Sequence, residues 1–243
     1  MPVQRPPFAV TENPSNGPDS PGSEEEPAER ADVDFVHRNP ILASAVAWEW
    51  KRQTTTVALG GIHTSWSSLL LQDPLEAAPW VVLDAYADDL VPLPLKVRSL
   101  AAAGRQCIVL GQVTSPQRAA LSAEGAVAIL DPDSTAAEIP RRIESVLLGL
   151  TRALVPQPSV GRELTDREIQ VLELYARRRA LTASALAEAL ELRTTTVRGH
   201  LARGRRKLAE AGLRCATRGE LAKALQDIGY SITDNQWQAV GRW

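Results

Sequence analysis

Cysteine is scarce in this sequence: among 243 residues there are two, Cys107 and Cys215. They lie far apart and match no metal-binding or redox spacing, so both are expected to be ordinary reduced thiols of a cytoplasmic protein. Histidine is nearly as rare, and His37, His63 and His200 are too scattered to predict a metal site. No apolar run approaches the roughly 20 residues of a membrane-spanning helix, so no membrane contact is expected. Residues 1–10 contain two consecutive prolines and lack the apolar stretch of a secretory leader. A nucleophile–base pair, a phosphate-cradling loop and a metal cluster are all missing, so the sequence predicts neither an enzyme nor a cofactor. What is present, 44% hydrophobic and 23% charged residues, is the composition of a globular chain.

The formal net charge of −2 conceals an asymmetry. Residues 162–225 hold 14 Lys/Arg against 8 Asp/Glu, leaving 13 against 21 for the rest of the chain. A basic module on an acidic body is the electrostatic outline of a nucleic-acid binder, although many basic faces are merely solvated.

Residues 1–40 are rich in Pro, Glu, Ser and Gly and include the acidic run 24–26. Such a stretch lacks the apolar surface to offset its ordering entropy and is expected to be a disordered tail. Residues 41–52, with Trp48 and Trp50, predict a short element packed on the domain after it. Strand-like runs at 54–59, 80–84, 107–110 and 126–130 then alternate with helical stretches at 66–71, 95–103, 115–125 and 135–150. Ser115 before Pro116 predicts a helix start, and Thr135 with Glu138 a capping box. The alternation predicts a parallel sheet covered on both faces, an α/β domain over 41–152. A linker over 153–161 leads to an all-helical region at 162–229, with 230–243 as a C-terminal tail. In that region Thr165/Glu168 and Thr217/Glu220 are capping boxes, Thr182 or Ser184 opens a second helix, and Gly212 and Gly229 are stops. Within the tail, Trp237 and Val240 predict one or two further helical turns.

The helix expected to begin near Thr194–Thr196 carries the functional signal. At about 100° per residue, Val197, Leu201, Gly204 and Leu208 form one buried stripe. Thr195, Gly199, Ala202, Arg203 and Arg206 face the opposite way, Arg198 and Arg205 line one flank, and His200 and Lys207 line the other. Small outward residues permit close approach to a groove, and arginines pair with phosphates or, bidentately, with guanine. A solvated amphipathic helix in a bundle has the same periodicity.

Residues 164–172 (LTDREIQVL) resemble the opening of the LuxR-type helix-turn-helix domain. Residues 186–190 resemble its scaffold helix, Thr196 to Leu201 followed by Lys207-Leu208 its recognition helix, and 218–221 its dimerising fourth helix. The order and spacing over about 65 residues make the match specific. The resemblance implies double-stranded DNA as partner, major-groove reading by the third helix, and homodimers on paired half-sites. The implied contact residues are Thr195, Thr196, Arg198, Gly199, His200, Ala202, Arg203, Arg206 and Lys207. Gly199 and Ala202 occupy contact positions but cannot hydrogen-bond a base edge, which leaves sequence preference to Thr195, Arg198 and Arg203 or to DNA shape. The turn at 177–181 lacks the family's usual glycine and is longer, as is the stretch between Leu208 and Arg218. The same helices also resemble region 4 of sigma factors; residues 218–221 favour the LuxR type.

Residues 57–150 resemble, more weakly, the receiver domain of response regulators. The resemblance implies a flavodoxin-like parallel sheet, which the spacing between Leu59 and Trp80 makes one βα unit short. It places Asp84 at the phosphoacceptor position. Where the metal-binding acids belong, after the strand at 54–59, stand Gly60 and Gly61; no lysine closes either later strand, since Gly111 and Asp131 come after them. Nothing is left to balance the charge of a transferring phosphoryl group, so phosphorylation-independent action is expected, with the front domain serving dimerisation or partner docking. Two other readings stand beside it: an interaction module contacting RNA polymerase or another regulator without base readout, and a regulator phosphorylated at Asp84.

Overall fold

The computed structural model describes residues 32–231 except 54–55, 87–88, 132–133, 156–158 and 178–180. Of the disordered tail expected over 1–40, residues 1–31 lie outside the described residues, as do the helical turns expected around Trp237 and Val240.

Five parallel strands form one sheet in the order β2-β1-β3-β4-β5. They are β1 (Val33–Val36), β2 (Leu59–His63), β3 (Trp80–Asp84), β4 (Gln106–Leu110) and β5 (Ala126–Leu130). Each is linked to the next by a helix: α1 (Pro40–Arg52), α2 (Trp66–Leu70), α3 (Leu93–Ala102) and α4 (Ser115–Glu124), with α5 (Ile139–Leu147) closing the unit. This is the flavodoxin-like order, complete. The expectation of a missing βα unit is therefore corrected: the first strand is Val33–Val36, inside the segment assigned to the disordered tail, and an α/β domain beginning at residue 41 would omit a strand of its own sheet. Composition hides it because four residues, one of them Asp34, make a weak apolar signal. Asp34 is fully buried, and its charge is compensated: Arg105 forms an ion pair with it, and the Gly61 and Ala78 amides donate to it at 2.8 and 3.2 Å. Gly60 and Gly61 accordingly lie within β2 rather than after the first strand.

Alternation along the strands divides the core. Val33, Phe35, Val82, Ile108 and Ala128 face α1 and α5, while Val36, Val81, Leu83, Val109 and Cys107 face α2, α3 and α4. The cap of α4 sits one residue before the expected position. Thr114 is the N-cap, exchanging side-chain and backbone hydrogen bonds with Gln117, and Pro116 occupies the first turn, where it has no amide to leave unpaired. Thr135 and Glu138 do bond to each other, but one turn ahead of α5.

A 3₁₀ turn (Val160–Glu163) leads into four helices: α6 (Asp166–Ala176), α7 (Ala183–Ala189), α8 (Thr194–Glu210) and α9 (Arg218–Asp227). The capping boxes Thr165/Glu168 and Thr217/Glu220 both form, and Thr182 caps α7. Ile169, Leu172, Leu186, Val197, Leu201, Leu208, Leu221 and Leu225 make one core, which takes in Leu95 and Ala120 from the α/β domain. The two domains thus share apolar contacts as well as polar ones. Arg98 pairs with the buried Glu124 at 2.6 Å and reaches Asp166 at the start of α6. Tyr230, itself buried, bonds to Glu124 and lies against Gly161, where a Cβ would meet its ring.

Candidate nucleic-acid interface

The geometry of α8 arises from its sequence. Val197, Leu201, Gly204 and Leu208 are the buried residues, one stripe along the helix. Gly204 is the point of closest approach to α6: a Cβ there would stand 2.6 Å from Leu172 Cδ1. Loss of a single methyl lets two helices come together where larger side chains would hold them apart.

The opposite side faces solvent. Thr195, Thr196, Arg198, Ala202, Arg203 and Arg206 are exposed, and Gly199 and His200 are half-buried. Arg203 bonds to His200 Nδ1 at 3.0 Å and lies 3.5 Å from Glu168, and Arg206 lies 3.6 Å from Glu210. Burial and the Arg203 charge hold the His200 imidazole below its ordinary range, which favours its neutral form. Lys207 differs from the others. Its Nζ is 2.8 Å from Glu168 and 3.0 Å from the Glu163 carbonyl, so it ties α8 to the start of α6. Burial would raise the Glu168 carboxyl, but Lys207 and the Thr165 amide outweigh it and hold the group ionised. Glu168 therefore has two roles, of which sequence reasoning finds one: it completes the cap of α6 and anchors α8. The other flank has no such carboxylate; among the described residues Arg198 and Arg205 have no ion pair.

The second predicted position, Asp84, ends β3 and is 2% exposed. The residues after the true first strand are His37 and Arg38, so an imidazole and a guanidinium stand where acids would hold a metal. Arg38 Nε lies 3.4 Å from Asp84 Oδ2, its amide donates to the same oxygen at 3.3 Å, and the Tyr86 amide donates to Oδ1 at 2.9 Å. Arg38 also donates to the Tyr86 carbonyl at 3.3 Å and its guanidinium lies over the Tyr86 ring. His37 Nε2 is 4.0 Å from Asp84 while its Nδ1 accepts from the Asn39 amide. Burial lowers the His37 pKa, with Asp84 opposing. Among the described residues the donor set does not fit a divalent cation: the Asp84 carboxylate is already matched to a guanidinium, and no group of three acidic, His or Cys side chains is placed to hold a metal ion. Gly111 and Asp131 come after β4 and β5 as expected, without lysine. A lysine does occur nearby on α3: Lys96 is buried and pairs with Asp89 at 2.6 Å, with desolvation pulling its pKa down against that pairing.

No family model matches the chain. No curated protein matches it in sequence. Solved structures match in fold. The RcsB response regulator of Salmonella typhimurium, in a structure concerned with conformational dynamism for DNA interaction, is 16% identical, with 82% of this chain and 98% of that one covered and a TM-score of 0.51. RcsB from Salmonella enterica serovar Typhimurium bound to promoter P1flhDC, in the presence of phosphomimetic BeF3-, covers 80% of this chain and 99% of its own at 16% identity and a TM-score of 0.49. The response regulator ChrA of a heme-sensing two-component system gives 18% identity, 80% and 96% coverage and a TM-score of 0.39. The first of these shows the fold: a receiver-like α/β domain and then a helical domain, arranged over nearly the whole length of a response regulator.

Proposed function

We infer that this chain is a sequence-reading, DNA-binding transcription regulator of the LuxR type that acts without phosphotransfer. The observation that carries the reading is the disposition of α8: pinned along Val197, Leu201, Gly204 and Leu208, with Thr195, Thr196, Arg198, Ala202, Arg203 and Arg206 on its open side. That side has the small residues and the guanidinium donors that major-groove reading uses. Arg198, exposed and uncommitted to any described carboxylate, is the residue best placed to read a base; Gly199 and Ala202 bring the helix close. Lys207 serves by holding α8 in place. The likeness in fold to a response regulator studied for DNA interaction supports the same reading.

The front domain serves assembly in this account, as a homodimer or in docking another regulator or RNA polymerase. Ile41 and Trp48, 79% and 62% exposed along α1, supply apolar surface for such a contact. Asp84 is held as a structural acid by Arg38 and the Tyr86 amide, which supports action independent of phosphorylation.

The test is a titration of the full chain against duplex DNA at increasing salt. Binding that weakens steeply with salt, and falls further in Arg198→Ala and Arg206→Ala, is expected. No preference for duplex at low salt, with both substitutions silent, rejects the reading.

A further inference from the structure

One face of the helical domain holds two guanidinium groups with no acid among the described residues to balance them. Tyr175, near the end of α6, has Arg218 Cζ 4.0 Å and Arg205 Cζ 5.5 Å from its ring centroid. Both side chains are half-buried, and the Nε of each is buried without a hydrogen-bond partner. Their frames are fixed: Arg218 Nη2 donates to the Leu181 carbonyl at 2.7 Å, and the Cys215 thiol donates to the Arg205 carbonyl at 3.2 Å. Nearby acids are engaged elsewhere, Glu220 with the cap of α9 and Arg214, Glu173 with Arg177. Two like charges gathered on one aromatic face, with no described acid paired to either, make a poor resting arrangement and a good socket for an anion.

We propose that Arg205 and Arg218, set on the ring of Tyr175, bind a backbone phosphate of duplex DNA at the edge of the groove that α8 enters. The inference rests on the DNA-binding reading and adds to it the residues that fix the protein's register on the backbone. Position favours a phosphate of the same duplex. Arg205 lies seven residues beyond Arg198 on the same flank, about 10.5 Å along the helix, and a major groove about 12 Å wide brings its phosphates to the flanks of an inserted helix. Charge agrees with position: Glu168 neutralises Lys207 and faces Arg203 on the other flank, whereas this flank is left cationic. A guanidinium offers phosphate two parallel donors, and the ring holds the plane of the group in place before the phosphate arrives.

The experiment measures the salt dependence of binding for the full chain on a duplex recovered by selection with the wild-type protein. The double variant Arg205→Gln with Arg218→Gln is expected to flatten the slope of log K against log salt by about 0.9, the contribution of one phosphate. It should leave the base preference found on reselection unchanged. Arg218→Lys, which keeps a charge and a donor for the Leu181 carbonyl, is expected to retain the wild-type slope. A wild-type slope in the double variant overturns the inference while leaving the DNA-binding reading intact, and so does equal flattening of the slope by Arg218→Lys and by Arg218→Gln made alone, which marks a structural role. Failure of the wild type itself to bind duplex overturns both.

Discussion

At the scale of single residues, burial decides which groups are free to act. Arg38 and Asp84 neutralise each other inside the α/β domain, and His37 lies half-buried beside them. Sequence alone gives Asp84 neither metal carboxylates nor a lysine at the strand ends; the structure changes which residues stand in the acids' place and brings the buried Lys96 of α3 near it. Gly60 and Gly61 align with the missing acids only while β1 goes unseen; His37 and Arg38 hold that place. Incubation with a small phosphodonor and Mg²⁺ is expected to leave the intact mass unchanged, and a gain of one phosphoryl mass would contradict the account of Asp84. His37 also predicts a pH dependence. Its pKa in the folded chain lies below the ordinary 6.5, so the unfolded chain binds the proton more readily. The stabilisation is complete above 6.5 and is lost as pH falls through the lowered folded value. Replacing His37 with Gln should therefore reduce the acid-side decline in melting temperature, measured between pH 7 and 5 (about the range in which histidine titrates).

Elements are legible where their signals are local. The caps Thr165/Glu168, Thr182 and Thr217/Glu220 are set by residues three apart, and the stripe of α8 by a period contained within 17 residues. Strand β1 is not legible, because its stability depends on partners distant in sequence: β2 and β3 on either side, and Arg105 for the charge of Asp34. Its four residues carry no period long enough to separate them from the acidic tail. Likewise Lys207 has the place of a flank residue on the wheel, and only the position of Glu168 on a neighbouring helix shows it as an anchor. Close packing of α8 on α6 depends on Gly204. Gly204→Ala would press a methyl onto Leu172 and is expected to cost about 1–3 kcal/mol, since overpacking here outweighs the better helix propensity of alanine. Chemical denaturation measures it; an unchanged or raised midpoint would mean that α6 and α8 are not held as close as described.

Across the whole molecule, the domains share a core through Leu95 and Ala120 and a polar junction of Arg98, Glu124, Asp166 and Tyr230. The junction involves the start of α6 and the residue Tyr230 beyond α9, and the cationic side of α8 stays exposed while the domains are joined. The proposal of a regulator that does not wait for a phosphoryl group rests on two features together: Asp84 matched by Arg38 in the front domain, and the cationic side of α8 exposed in the helical one. Mapping the DNA bound in cells by the wild type and by Arg198→Ala tests this most directly. A set of wild-type sites sharing a common motif, lost or altered in the variant while protein levels hold, is the predicted result; indistinguishable maps, or no enrichment for either protein, would contradict it.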